Sequence, residues 1–195
     1  MTYINQLETL CQQCGCKMET EVSLAEHTTF RGGGPCRALV HVNSARTAQT
    51  LVQFLRREGI PFAVLGRGSN VIVPDEGFDG VVLLFGHAFA RITRQENQLV
   101  CQGGASLRAV CTAALDAGLT GLEFAYGIPG TVGGGLYMNA GAYGGELSHV
   151  AVSAEYLDRN GNLVQMDAAD MQLSYRHSCF MENGGIITSV TLQLQ

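Results

Sequence analysis

The sequence predicts an α+β fold of two lobes, and three observations carry that prediction. Stretches of helical and strand periodicity alternate along the chain. Positions 38–65 read strand, helix, strand, which is a βαβ unit. The second half reads as hairpins around a single helix, with a terminal strand of alternating Val190, Leu192 and Leu194. A length of 195 residues suits one large domain or two small ones. The predicted layout is an N-terminal helix and lead-in strand over 1–30, one lobe over 31–85 and a second over 86–195.

The elements follow in order. Ile4, Leu7, Leu10, Cys11 and Cys14 fall on one face of a helix over 2–17. Glu21–Ala25 reads as a short strand before the cluster Gly32-Gly33-Gly34-Pro35, and Ala38–Val42 as the next. Ser44 is placed to cap a helix carrying Ala48, Leu51, Val52 and Leu55 at i, i+3, i+4 and i+7, which Gly59 and Pro61 end. Strands are predicted at Phe62–Leu65, Val71–Val73 and Val81–Leu84. Ala90–Arg94 and Leu99–Gln102 flank Glu96-Asn97 as a hairpin. Ser106 caps a helix with Leu107, Val110, Cys111 and Ala114 on one face, ended by Gly118. Val150–Leu157 and Leu163–Met166 flank Asn160-Gly161, a type I′ turn signal. A strand running to the end of the chain leads to the expectation that further chain follows. No repeat, low-complexity tract or linker interrupts the pattern.

Composition excludes several classes of function. Charged residues are 15% and apolar ones 46%, which disfavours disorder. Net charge is −5 and the isoelectric point about 5.5, so a generic nucleic-acid binder is disfavoured. No apolar run approaches the roughly 18 residues a membrane span needs. The N-terminus lacks the basic and apolar regions of a signal peptide. The seven cysteines are an odd number and are read as reduced thiols in a cytoplasmic protein. Cys11, Cys14 and Cys16 have zinc-like spacing but lack a second ligand pair, so no metal is expected.

Glycine is the compositional outlier, with 25 residues, nine of them between 121 and 145. Gly66-Arg67-Gly68-Ser69-Asn70 joins two apolar stretches. It opens no helix, as a dinucleotide fingerprint would, and lacks the Gly-Lys-Ser/Thr of a P-loop. Glycines here let the backbone approach a ligand and turn N–H groups toward an anion, with Ser69 and Asn70 as side-chain donors; an ordinary glycine turn is the alternative. In Gly127-Ile128-Pro129-Gly130-Thr131-Val132-Gly133-Gly134-Gly135, Thr131 is placed to cap a short helix whose first N–H groups point at a ligand. Three successive glycines imply a flat or bulky group near the backbone, or else a tight packing seam. Glycine loops in both lobes, facing one cleft, favour an extended ligand such as a dinucleotide. Tyr175-Arg176-His177-Ser178 places an arginine suited to phosphate, carboxylate or a polarised carbonyl, or simply to the surface. Gly-x-Ser-x-Gly is absent, so hydrolase chemistry has little support.

Taken together, these motifs resemble the bacterial UDP-N-acetylenolpyruvoylglucosamine reductases (UDP-N-acetylmuramate dehydrogenases). The resemblance runs from about residue 20 to 195. It rests on Thr29–Pro35, Leu65–Asn70, Gly121–Phe124, Gly127–Gly134, Met138–Gly144 and Tyr175–Ser178, in matching order and spacing. Gly32 and Cys36 stand where that family usually has Ile and Ala. The resemblance implies a vanillyl-alcohol-oxidase-like (PCMH-type) FAD-binding fold, with non-covalent FAD between two lobes and NADPH as reductant. It implies that Gly66, Gly68, Ser69 and Asn70 hold the pyrophosphate. Gly130, Thr131 and Gly134 would line the flavin or its phosphates, and Arg176, with Tyr175 beside it, would act at the enolpyruvyl group of a UDP-sugar. The family continues into a C-terminal substrate-binding domain. That domain carries a serine proton donor and a late glutamate, and it is not found here. The alternatives are a flavin-binding module without reductase activity, alone or paired with a separate chain, and another PCMH-type flavin oxidoreductase with covalent FAD.

Overall fold

The computed structural model describes residues 3–195. Met1 and Thr2, where the predicted first helix begins, lie outside the described residues. The chain divides into two compact units, Met1–Ala88 and Phe89–Gln195.

The first unit begins with α1 (Tyr3–Cys14). Its Leu7 and Cys11 are buried, and Gly15 stops it in the left-handed region at φ +62°. Asn43 Nδ2 donates to the carbonyls of Cys14 (3.2 Å) and Gly15 (3.0 Å), satisfying the end of the helix. Strand β1 (Met18–Ser23) pairs antiparallel with β2 (Pro35–His41). Helix α2 (Ala45–Arg57) is capped as expected: the Ser44 hydroxyl oxygen accepts from Thr47 N at 3.0 Å. Strands β3 (Phe62–Leu65) and β4 (Phe78–Leu84) complete a sheet ordered β1-β2-β4-β3.

Two expectations change in this unit. The predicted βαβ unit is split, because β4 enters between β2 and β3 and pairs parallel with both. Val71–Val73 joins no sheet. Val73 lies against Gly33 instead, and Gly34 N donates to Pro74 O at 2.9 Å. A Cβ on Gly34 would lie 2.2 Å from the carbonyl oxygen of Asp75. Ile72 is left 83% exposed.

In the second unit, β5 (Ile92–Gln95) and β6 (Gln98–Gln102) form the expected hairpin. Helix α3 (Leu107–Asp116) follows, with the Ser106 hydroxyl oxygen accepting from Ala109 N at 3.1 Å. Then come α4 (Val132–Tyr137), the two-residue strands β7 (Gly141–Ala142) and β8 (Gly145–Glu146), and β9 (Ala151–Leu157). Strand β10 (Leu163–Asp167), the one-turn α5 (Phe180–Asn183) and β11 (Ile186–Gln193) complete it. The main sheet runs β10-β9-β11-β6-β5, so the last strand lies at its centre.

The Asn160-Gly161 turn differs from its predicted type. A type I′ turn needs φ > 0 at both central residues. Here Gly161 alone is positive, at +77°. The strands close at Leu157–Leu163, and the Asp158 carboxylate fixes the wider loop by accepting from the backbone N of Asn160 (2.7 Å) and Asn162 (2.8 Å). That local side-chain pairing outcompetes the two-residue hairpin.

All seven cysteines are unbridged. Among the described residues no three His, Cys, Asp or Glu side chains converge as a metal site. Burial pushes the Cys101 thiol up to about 12 and the Cys111 thiol up to about 11. The Cys11 thiol is also raised by burial. Cys14 is half-buried at the end of α1. Cys14→Ser is expected to leave the melting temperature and flavin content unchanged. Calorimetry and metal analysis check this; stoichiometric zinc lost in the variant would contradict it.

Candidate active site

In the first unit, Gly66, Gly68, Ser69 and Asn70 share the loop that leaves β3. Gly68 has φ +61°, and its carbonyl accepts from Thr29 N at 2.9 Å. A Cβ on Gly68 would lie 2.0 Å from the His27 carbonyl oxygen and 2.9 Å from Thr28 Cα. The expected approach was to a ligand; at Gly68 the space a side chain would fill is taken by the chain's own backbone. This joins the loop to the Thr29–Pro35 motif.

In the second unit, Gly130, Thr131 and Gly134 lie at the start of α4. Thr131 is 3% exposed, and its hydroxyl oxygen accepts from Gly134 N at 3.2 Å, the predicted cap. The expectation that the first N–H groups of this helix point at a ligand does not hold. Val132 N donates to Ala105 O (2.7 Å) and Gly133 N to Gly103 O (3.0 Å). The three glycines also divide by role. A Cβ on Gly133 would come within 2.9 Å of the Gly103 carbonyl, and one on Gly135 would press on Leu147 (3.1 Å) and Leu107 (3.3 Å). A Cβ on Gly134 would meet only Thr131 Oγ1, at 3.4 Å, and the residue is exposed. Two of the three serve internal packing, and the middle one presents bare backbone outward.

The structure joins Tyr175 and Arg176 to the far end of α4. Ser174 and His177 exchange backbone hydrogen bonds (3.2 and 3.1 Å), closing a turn with these two residues at its tip. Arg176 is left-handed at φ +55°, where such turns favour Gly or Asn. Tyr175 is 86% exposed. Two residues that sequence reasoning gave no role hold the turn: Asn139 Nδ2 donates to Ser174 O (3.0 Å), and Ser178 Oγ donates to Tyr137 O (2.7 Å). The signal for Asn139 was present as a lone amide in the Met138–Ala142 run. The Ser148 hydroxyl and Asn139 hold the nearby Glu146 carboxyl below its ordinary range.

Exposed apolar side chains collect at these motifs. Phe30, Val71 and Ile72 flank the first unit's glycine segments, and Tyr126, Tyr137, Tyr143 and Tyr175 those of the second. Within each unit by itself, exposed apolar side chains beside exposed glycine backbone suit an apolar part of a ligand.

A family model described as FAD binding domain matches residues 36–167, and the chain belongs to that family. Curated relatives include proteins named UDP-N-acetylenolpyruvoylglucosamine reductase. One from Clostridium novyi is 38% identical over 92% of this chain, and one from Clostridium perfringens 42% over 88%. A crystal structure of UDP-N-acetylenolpyruvylglucosamine reductase from Thermus caldophilus superposes with TM-score 0.77 at 32% identity, covering 92% of this chain and 63% of that one. Glucooligosaccharide oxidase from Acremonium strictum superposes with TM-score 0.69 at 18% identity, a likeness of fold alone. The fold is thus the expected PCMH-type FAD-binding fold. The chain spans 58% and 56% of the length of the two clostridial relatives.

FAD is the cofactor of this family, and the residues present fit it. An added Cβ on Gly134 would meet only Thr131 Oγ1, at 3.4 Å, so this exposed backbone leaves room for a planar ring. Among the described residues no helix is long and apolar enough to cross a membrane.

Proposed function

We propose that this chain is the FAD-binding portion of an NADPH-dependent UDP-N-acetylenolpyruvoylglucosamine reductase, an enzyme of cytoplasmic peptidoglycan precursor synthesis that supports cell shape and division. The observation that carries the reading is the exposed Tyr175-Arg176 tip, in which a left-handed arginine is held against the end of α4. Non-glycine residues persist in that conformation where the surroundings enforce it, and such sites cluster at function.

FAD, when bound, would supply hydride-transfer chemistry between NADPH and the enolpyruvyl ether of the UDP-sugar. This chain's residues bind and polarise. Gly66, Gly68, Ser69 and Asn70 hold the pyrophosphate, with Gly68 fixing the path of the loop and Ser69 and Asn70 offering side-chain donors. Gly130, Thr131 and Gly134 line the flavin, where the missing side chain of Gly134 allows close approach. Hydride addition leaves negative charge on the carbon next to the substrate carboxylate. The Arg176 guanidinium, planar and permanently charged, stabilises that enolate-like charge. Tyr175 orients the same group. The remaining part of the relatives' length supplies the rest of the UDP-sugar site and the proton donor.

The test is anaerobic NADPH consumption by the FAD-loaded protein, with and without UDP-N-acetylenolpyruvoylglucosamine. Consumption stimulated by that substrate is expected once the chain is joined to the C-terminal domain of a relative. Bound flavin with no stimulation in either form would favour a flavin-binding module of another kind.

A further inference from the structure

We infer that Asn139 and Ser178 are positioning residues that clasp the Arg176 turn onto the end of α4. The inference rests on the reading of Arg176 given above and extends it to residues with no assigned role.

The turn is held at both ends. Before its tip, the Ser174 carbonyl accepts from Asn139 Nδ2 at 3.0 Å. After it, Ser178 Oγ donates to the Tyr137 carbonyl at 2.7 Å. Both anchors are buried, Asn139 at 2% exposure and Ser178 at 0%. The tip between them is exposed. The Asn139 amide can take only one orientation. Ser148 N can only donate, and it points at Oδ1 (2.9 Å), whereas the Ser174 carbonyl can only accept. The same amide therefore ties the turn to the segment after β8. Asn139 is itself left-handed, at φ +42°, a conformation that asparagine tolerates better than most residues.

A clasp is needed because the tip is strained. A left-handed non-glycine residue is strained, so a loosened turn would relax and carry the guanidinium with it. The effect on chemistry is steep, since a displacement of about 1 Å can cost on the order of 100-fold in rate. Arg176 is thus set by hydrogen bonds it does not make itself.

Asn139→Asp isolates one anchor. It keeps an acceptor for Ser148 N and the tolerance for left-handed φ, and it loses the donor to Ser174. Ser178→Ala removes the other anchor should the first variant fold poorly. NMR order parameters of the Tyr175 and Arg176 amides are expected to fall from about 0.85 to below roughly 0.6 in either variant, and to stay high in Arg176→Ala. In the FAD-loaded protein carrying a C-terminal domain, kcat is expected to drop about 10–100-fold with KM and flavin content unchanged. Amides that stay ordered in both variants would overturn the clasp, as would turnover lost only in proportion to flavin. Full substrate-dependent turnover in Arg176→Ala would refute the reading of Arg176 instead, while the order parameters would still decide the clasp.

Discussion

Gly68→Val is expected to destabilise the protein by about 2–5 kcal/mol and to lose flavin as a consequence. Two costs add. Valine in the left-handed region costs roughly 1–2 kcal/mol, and Gly68 sits at φ +61°. Forcing a side chain into filled space costs about 1–3 kcal/mol more, and the first added carbon would lie 2.0 Å from the His27 carbonyl oxygen. That oxygen belongs to backbone held by the Thr29–Gly68 hydrogen bond, so it has little room to yield. Domains of this size are stable by only about 5–15 kcal/mol, so the loss is a large fraction of the total. Urea unfolding of the flavin-free protein checks it: the midpoint falls in Gly68→Val and falls less in Gly68→Ala. A wild-type midpoint in the valine variant would contradict the close packing of this loop on residues 27–28.

The second large effect is on chemistry. In the protein joined to the C-terminal domain of a relative, Arg176→Ala is expected to reduce substrate-dependent NADPH oxidation by about 10²–10³-fold, the usual cost of removing one donor aimed at developing negative charge. Stability should change little, because the Arg176 side chain is exposed and the turn is anchored through Ser174 and Ser178. Flavin content should be retained. Steady-state kinetics and thermal melts on the same preparation separate the two. Arg176→Lys is expected to recover only part of the rate, since an ammonium cannot present a planar pair of donors to a carboxylate.

Much of this was legible in the sequence because it rests on local chemistry. Ser44 and Ser106 cap the helices they precede, and helical spacing located α2 and α3. Thr131 was recognisable as a cap for the same reason. What could not be read depends on partners far along the chain. Val71–Val73 has the composition of a strand, but a strand needs a neighbour, and here only Val73 is placed, against Gly33. The insertion of β4 between β2 and β3 is likewise a matter of pairing, to which periodicity is blind. At the candidate site, the glycine motifs singled out these loops without showing which glycine faces what. Gly133 and Gly135 are filled by the protein's own core, and Gly68 by its own backbone. Asn139 and Ser178 act across 35 and 41 positions of sequence, so no local pattern reveals them.

The open face of Gly134 allows the most direct measurement of the central claim, that these glycines hold FAD. Its backbone is helical, and an added methyl would meet only Thr131 Oγ1, at 3.4 Å. Gly134→Ala should therefore leave the flavin-free protein as stable as wild type or more so, by up to about 1 kcal/mol from the removed glycine entropy. The same methyl would intrude on a flavin lying against the helix. An intrusion costing about 1–3 kcal/mol weakens FAD binding by roughly 5–150-fold. Calorimetric titration with FAD, paired with thermal melts of the flavin-free protein, reads both quantities. The account predicts equal or higher stability together with weaker FAD binding. Unchanged FAD affinity in a stable Gly134→Ala protein would contradict it.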